Sequence, residues 1–287
     1  MSNCTMKKQT NDAVEIAQIE IDLLLEAIYR RYGYDFRNYS RTSLERRLVQ
    51  FTCDMKCSSY AEVTARLLRD SLFFQELAAY FSISVTALFR DPFFYAALQE
   101  KVVPLLRTWP HFKIWHAGCA TGEEAYSMAI LLNDEKLSNR AMLYATDISQ
   151  SALDTAKAGV YPLDTIKQGS INYLNSGGIA SLSKYYHARY GAALLDASLK
   201  NRITFSRHNL VIDKSFGEMQ VIICRNVLIY FNQELQNQVL QLFWESLEYG
   251  GFLCLGDKES LMFSSVAEKF ITVDEKAKIY KKIIQVC

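Results

Sequence analysis

The stretch Lys113-Ile-Trp-His-Ala-Gly-Cys-Ala-Thr-Gly-Glu-Glu-Ala-Tyr-Ser127 constrains the fold of this chain more than any other. An apolar run gives way to small residues and then opens an acidic helix, which is how an α/β protein builds a shelf for a ligand. Gly118 and Gly122 allow a sharp turn and a close backbone approach. Thr121 is placed to cap a helix whose first turn holds Glu123 and Glu124. Two acids there would repel a pyrophosphate, which ordinarily sits on bare amides at a helix N-terminus. The loop therefore suits a cationic ligand that also offers hydroxyls and an amine, a description S-adenosylmethionine fits.

The rest of the chain supports a folded α/β protein. Its 287 residues are 50% hydrophobic and 22% charged, with only 4 Pro, which suits one large or two modest domains. Lys and Arg total 32 against 31 Asp and Glu, for a formal net charge of +1, so no global field draws the molecule to nucleic acid or to a membrane surface. Seven cysteines, an odd number without a secretory leader, predict reduced thiols and a cytoplasmic home. Cys53 and Cys57 could share a helical face, but no histidine lies nearby, so they read as packing residues and no metal site is expected. No apolar stretch is long enough for a membrane span.

Residues from about Asn11 to Ile83 read as helical, with Ile19, Leu23, Leu24, Ile28 and Tyr29 at helical spacing. Arg30, Arg31, Arg41, Arg46 and Arg47 cluster there, either as a solvated face or as a dock for an acidic partner. From Phe112 the pattern alternates. Strands are predicted at Phe112–His116, Ala141–Thr146, Met219–Cys224 and Gly251–Gly256, and helices at Glu123–Leu132, Ser149–Ala158 and Gln233–Leu247. Such alternation predicts a doubly wound parallel sheet covered on both faces. Phe270–Val273 and Lys278–Ile284 read as a closing antiparallel pair. Between about residues 161 and 205 the alternation lapses, as for an inserted small sheet. The expected organisation is a helical domain over 1–85 and a second domain over 86–287.

Ligands of such a sheet bind at the carboxyl ends of its strands. The first strand delivers the Gly118 loop. The second ends at Asp147, about twenty-five residues past the loop, where a ribose diol would be gripped, although an Asp there could equally cap the next helix. Asn209-Leu210 and Arg225-Asn226 follow in the same register. Tyr230 lies just beyond, and Arg90 stands at the junction of the two parts.

Four motifs in order then resemble one family. Val85-Thr-Ala-Leu-Phe-Arg-Asp-Pro92, the segment from Trp115 to Ser127, Ala145-Thr-Asp-Ile148, and Ile223-Cys-Arg-Asn-Val-Leu-Ile-Tyr-Phe231 look like the CheR-type chemotaxis receptor methyltransferases, and the resemblance spans nearly the whole chain. It implies a class I (Rossmann-like) methyltransferase fold with an N-terminal all-helical domain and a small inserted β-subdomain. It also implies S-adenosylmethionine as methyl donor, and esterification of glutamate side chains on the cytoplasmic helices of chemoreceptors. Carried over by motif, Ser84, Thr86, Arg90, Gly118, Glu124, Asp147, Asn209, Leu210, Arg225 and Asn226 would hold the donor, with Glu124 on its amino-acid end and Asp147 on its ribose. Arg90 and Tyr230 would orient the acceptor carboxylate. Arg46 and Arg47 would steer an acidic receptor helix.

The expected partner is the cytoplasmic signalling region of a chemoreceptor or a similar protein, met by a monomer, with no nucleic acid and no membrane insertion. A reading of a different class is a regulatory module of a two-component or biofilm pathway that senses S-adenosylmethionine without turnover. A nucleic-acid or small-molecule methyltransferase on the same fold is disfavoured by the neutral charge and the helical domain.

Overall fold

The computed structural model describes residues 2–81 and 86–283. It divides into two compact units, one of residues 1–83 with 230–235, the other of residues 84–229 with 236–287. In the first unit, α1 (Ser2–Tyr32), α2 (Arg41–Asp54), α3 (Tyr60–Leu67) and α4 (Ser71–Phe81) bury Leu24, Ile28, Phe36, Leu48, Phe51 and Leu77 together. The buried side of α1 is Ile21, Leu24, Leu25 and Ile28. Ile19 and Leu23, which the spacing also placed inward, are exposed, because only one stripe of the helix can face its neighbours. Ser59 caps α3 by accepting the Glu62 amide, and Glu20 of α1 accepts the amides of Tyr60 and Ala61, so the start of α3 is pinned to α1. Cys53 on α2 is exposed and Cys57 lies beyond that helix, so the packing role expected of Cys53 is not what the fold gives it.

The second unit begins with α5 (Pro92–Ala97), a wide turn over Leu98–Val102 and α6 (Val103–Leu106). It continues through β1 (Phe112–Ala117), α7 (Glu123–Asp134), β2 (Ala141–Asp147) and α8 (Gln150–Ala158). The inserted segment supplies β3 (Val160–Pro162), α9 (Leu163–Asn175), β4 (Tyr186–Arg189), β5 (Ala192–Leu195) and α10 (Ala197–Lys200). After it come β6 (Ile203–Arg207), β7 (Met219–Cys224), α11 (Gln233–Ser246), β8 (Leu247–Leu255), β9 (Phe270–Asp274) and β10 (Ile279–Lys282).

Among the described residues the main sheet runs β6-β2-β1-β7-β8-β10-β9, and a second sheet runs β3-β5-β4. β6, β2, β1, β7 and β8 are parallel, whereas β10 is antiparallel to both β8 and β9. The insertion does carry the expected small sheet, and it is antiparallel throughout. The insertion ends earlier than its loss of alternation predicted, because Ile203–Arg207 pairs with β2 as the edge of the main sheet. Its pattern is hard to read since an edge strand buries few of its side chains, here only Ile203 fully. β1 and β7, flanked on both sides, are apolar almost throughout, as doubly covered strands must be. Trp115 on β1, fully buried, donates its indole N–H to Thr146 Oγ1 at 2.8 Å and so fixes β1 against β2 near their tips.

Chain order reverses between β1 and β7. One connection from β1 runs through α7 to β2 on one side, while β7 lies on the other, which opens a crevice above the carboxyl ends of the two central strands.

Candidate functional site

At the end of β1 the chain turns through Gly118 at φ +79° and Ala120 at φ +48°, and enters α7 through Gly122 at φ +94°. Gly122 itself occupies the N-cap position. Thr121, expected there, lies one residue before the cap and instead donates its hydroxyl to Glu123 Oε2 at 2.7 Å. The loop hangs on the second strand: the amides of Gly118 and Cys119 both donate to Thr146 O, at 2.8 and 2.9 Å, and that of Ala120 donates to Asp147 Oδ2 at 2.8 Å.

Asp147 therefore faces the loop. Its Oδ1 accepts the Ser149 amide at 2.9 Å, while Ser149 caps α8. Burial pushes the Asp147 carboxyl up, against the pull of those amides. Ser149, not Asp147, caps α8, and Asp147 is held half-buried at the strand tip.

The two first-turn acids of α7 part company. Glu123 is buried and turned toward Thr121, with its carboxyl pushed up by burial. Glu124 points to the strand tips, where His116 Nδ1 lies 3.1 Å from Oε1 and Arg225 Nη1 lies 3.4 Å from Oε2. Burial alone would raise the Glu124 carboxyl, but the bond and charge of His116 and those of Arg225 more than reverse this and hold it below the ordinary range.

Arg225, whose side chain is 2% exposed, donates to Asp91 Oδ2 at 2.5 Å and stacks 4.2 Å from the Phe94 ring centre. Its Nη1 also lies 3.4 Å from the carbonyl oxygen of Arg90. So the residue after β7 ties down the Arg90–Asp91 turn. Phe89 and Asp91 both adopt positive φ in that turn, and Asn226 does so at +60°. Strained backbone of this kind gathers where a surrounding structure holds it for a purpose.

The loop after β7 is held by a residue that the motifs did not single out. Glu259, 4% exposed, accepts the amides of Gly256 (2.6 Å), Asn226 (3.1 Å), Val227 (2.9 Å) and Ile229 (3.3 Å). Val227 in turn abuts the first loop, where a Cβ on Gly118 would lie 2.5 Å from Val227 Cγ2. Asn209 is buried after β6; its Oδ1 accepts the Val211 amide and its own amide donates to Asp213. The His208 amide donates to Asp147 O, which joins the β6 end to the β2 tip.

Gly118, Asn209, Leu210, Arg225 and Asn226 thus lie on the linked loops that follow β1, β6 and β7, with Asp147 at the end of β2 and Glu124 in the first turn of α7. Thr86 and Arg90 lie half-buried on the segment that precedes α5, and Ser84 falls outside the described residues. Tyr230 belongs to the helical unit. There its ring lies 4.7 Å from the Arg47 guanidinium, and its carbonyl accepts the Ser40 amide at 2.7 Å. Arg47 is 7% exposed and also donates to Phe81 O, so it is committed inward, contrary to the docking role expected of it. Arg46, the next residue back along the helix, is exposed. His116, Asp91 and Glu259 were missed: His116 hid within an apolar strand, and the other two act on partners far away in the chain.

The donor set fits a cationic ligand with a sugar. Acids head α7 and end β2, a glycine turn stands between them, and the two carboxylates in the first turn of α7 would repel a pyrophosphate there. Fold and site together define a class I, Rossmann-like methyltransferase that uses S-adenosylmethionine. The family models agree: residues 84–279 match "CheR methyltransferase, SAM binding domain" and residues 19–82 match "CheR methyltransferase, all-alpha domain". The chain belongs to the CheR methyltransferase family. It is 47% identical to the provisionally named methyltransferase Cher3 of Pseudomonas putida, over 92% of this chain and 97% of that one. It is also 29% identical to a chemotaxis protein methyltransferase of Listeria innocua (86% and 93%) and 27% identical to that of Borreliella burgdorferi (90% and 93%). Among the described residues no helix is long and apolar enough to cross a membrane.

Proposed function

We propose that this methyltransferase esterifies glutamate side chains on the cytoplasmic helices of a chemoreceptor, or of a protein built like one, in chemotaxis adaptation or a related signalling pathway. The observation that carries the reading is the meeting of Glu124, Asp147 and the Gly118 turn above β1 and β2. In this reading Glu124 takes the donor's ammonium and Asp147 its ribose hydroxyls. Gly118, Thr86, Arg90, Asn209, Leu210 and Asn226 line the remainder, with Ser84 beside them. Arg225, enclosed by Asp91, Glu124 and Phe94, holds the loops in register.

Bound S-adenosylmethionine supplies a methyl group already activated by a sulfonium. A glutamate carboxylate needs no base to attack it: an oxygen–carbon bond forms, the sulfur–carbon bond breaks, and S-adenosylhomocysteine leaves. What the chain contributes is orientation and exclusion of water while opposite charges neutralise, worth several kcal/mol, on the order of 5, of barrier. Arg90 and Tyr230 are the side chains assigned to orient the carboxylate. Arg46 is the exposed arginine left to meet an acidic helix, and residues 1–85 form the docking domain. The names of the Listeria and Borreliella relatives support the chemotaxis setting. A cytoplasmic location follows from such a substrate.

Mass spectrometry of candidate receptors incubated with the enzyme and S-adenosylmethionine tests the reading. Base-labile glutamyl methyl esters are expected, and Arg90→Ala should depress their formation more than it weakens S-adenosylhomocysteine binding. Methylated RNA or metabolite with untouched glutamates would overturn the substrate class, and donor binding without any turnover would favour a sensor.

A further inference from the structure

His116 is fully buried on β1, between β2 and β7, at the register of Ala145 and Ile223. Its Nδ1 lies 3.1 Å from Glu124 Oε1, and because a carboxylate only accepts, Nδ1 carries the hydrogen. Its Nε2 is buried with no hydrogen-bond partner among the described residues. An aliphatic side chain would fill this strand position without leaving a polar atom unmatched, so packing gives no reason for an imidazole here.

Its effect falls on Glu124. That acid stands in the first turn of α7, with its second oxygen 3.4 Å from Arg225, whose shorter bond, at 2.5 Å, goes to Asp91. Two carboxylates, Glu124 and the partly exposed Asp91, thus share this one guanidinium, and the longer contact leaves the negative charge of Glu124 only partly engaged by it. Without His116, the Glu124 carboxylate would be free to rotate into a closer bidentate pair with Arg225 and spend that charge internally.

We propose that His116 is a positioning residue that keeps the Glu124 carboxylate turned toward a primary ammonium, and so makes the site select donors and products that carry one. This rests on the reading of Glu124 as the contact for the amino-acid end of S-adenosylmethionine. It adds that a strand residue with no contact to the ligand sets that selectivity.

Isothermal titration calorimetry of the full chain with S-adenosylhomocysteine and with its analogue lacking the α-amino group tests this. The wild type should prefer the amine-bearing ligand by roughly tenfold or more. His116→Leu, which fills the same space and donates nothing, should lose most of that preference while binding the desamino analogue unchanged. His116→Asn, whose amide can donate from about the same place, should restore it. An unaltered preference in His116→Leu, or an equal weakening for both ligands without rescue by Asn, would overturn the proposal. Failure of the wild type to bind either ligand would instead overturn the donor reading, and this inference with it. Should His116→Leu prove too unstable to purify, His116→Asn against His116→Gln supplies the same comparison, since only the shorter amide reaches Glu124.

Discussion

The guanidinium of Arg47 lies over the ring of Tyr230, 4.7 Å from its centre, and donates a hydrogen bond to the carbonyl of Phe81. One buried arginine thus joins α2, the end of α4 and the 230–235 segment, which are distant in the chain and belong to one unit. Arg47→Ala is expected to destabilise that unit by about 3 kcal/mol, combining a charged hydrogen bond with a desolvated cation–π contact. Arg46→Ala should change stability by no more than about 0.5 kcal/mol. Urea unfolding of the two variants separates the roles, and equal stability losses would contradict the assignment.

Glu259 offers a second test. Its carboxylate accepts four backbone amides that have no other described partner, so Glu259→Ala should cost at least about 3 kcal/mol and weaken S-adenosylhomocysteine binding as the 226–229 loop loosens. Glu259→Gln should recover less than half of the loss, because its NH2 group would face amide hydrogens it cannot accept. A Gln variant with wild-type binding by calorimetry would refute this.

The close fit between the first and fourth strand-tip loops makes Gly118 sensitive on two counts. A Cβ there would stand 2.5 Å from Val227 Cγ2, on a backbone at φ +79°. Gly118→Ala should cost about 1–3 kcal/mol and reduce donor affinity. Adding Val227→Ala should relieve the clash and leave a residue of about 1 kcal/mol from the backbone alone. Thermal melts of the single and double variants give both figures.

Asp134 at the end of α7 holds the inserted segment. Its carboxylate accepts Tyr173 (2.6 Å), Tyr185 (2.5 Å) and Lys184 (2.8 Å). Burial opposes its charge, but these three donors prevail and keep its acid strength greater than in the unfolded chain, whose value is near 3.8. A depressed folded value means that the stabilisation is complete above about pH 4 and is lost as pH falls through the lowered value. Asp134→Asn should therefore cost about 2 kcal/mol at neutral pH and flatten the acid limb of the stability profile. Parallel limbs for wild type and variant, followed by circular dichroism from about pH 6 to about pH 2, would exclude the linkage.

The order of strands and helices in the second unit was legible because a doubly covered sheet imposes short apolar runs, and β1, β2, β7 and β8 obey that pattern. The small residues of the Gly118 turn and the acid at position 147 were legible for the same local reason. What escaped depends on partners far away in the chain. Nothing near Asp91 announces Arg225, 134 residues on, and nothing near Glu259 announces the amides of Val227 and Ile229. Arg47 looked like its neighbour Arg46 because helical spacing tells which face a side chain leaves from, but not whether a carbonyl waits there. β6 was lost in the insertion because an edge strand carries too weak an alternation to stand out.

The attachment of the 118–120 turn to Thr146 and Asp147 has a consequence for engineering. Residue 147, the proposed ribose contact, is also a strut of the turn, so replacing it to admit a modified sugar would reshape the turn as well. Libraries aimed at altered donors will have to vary positions 120 and 147 together.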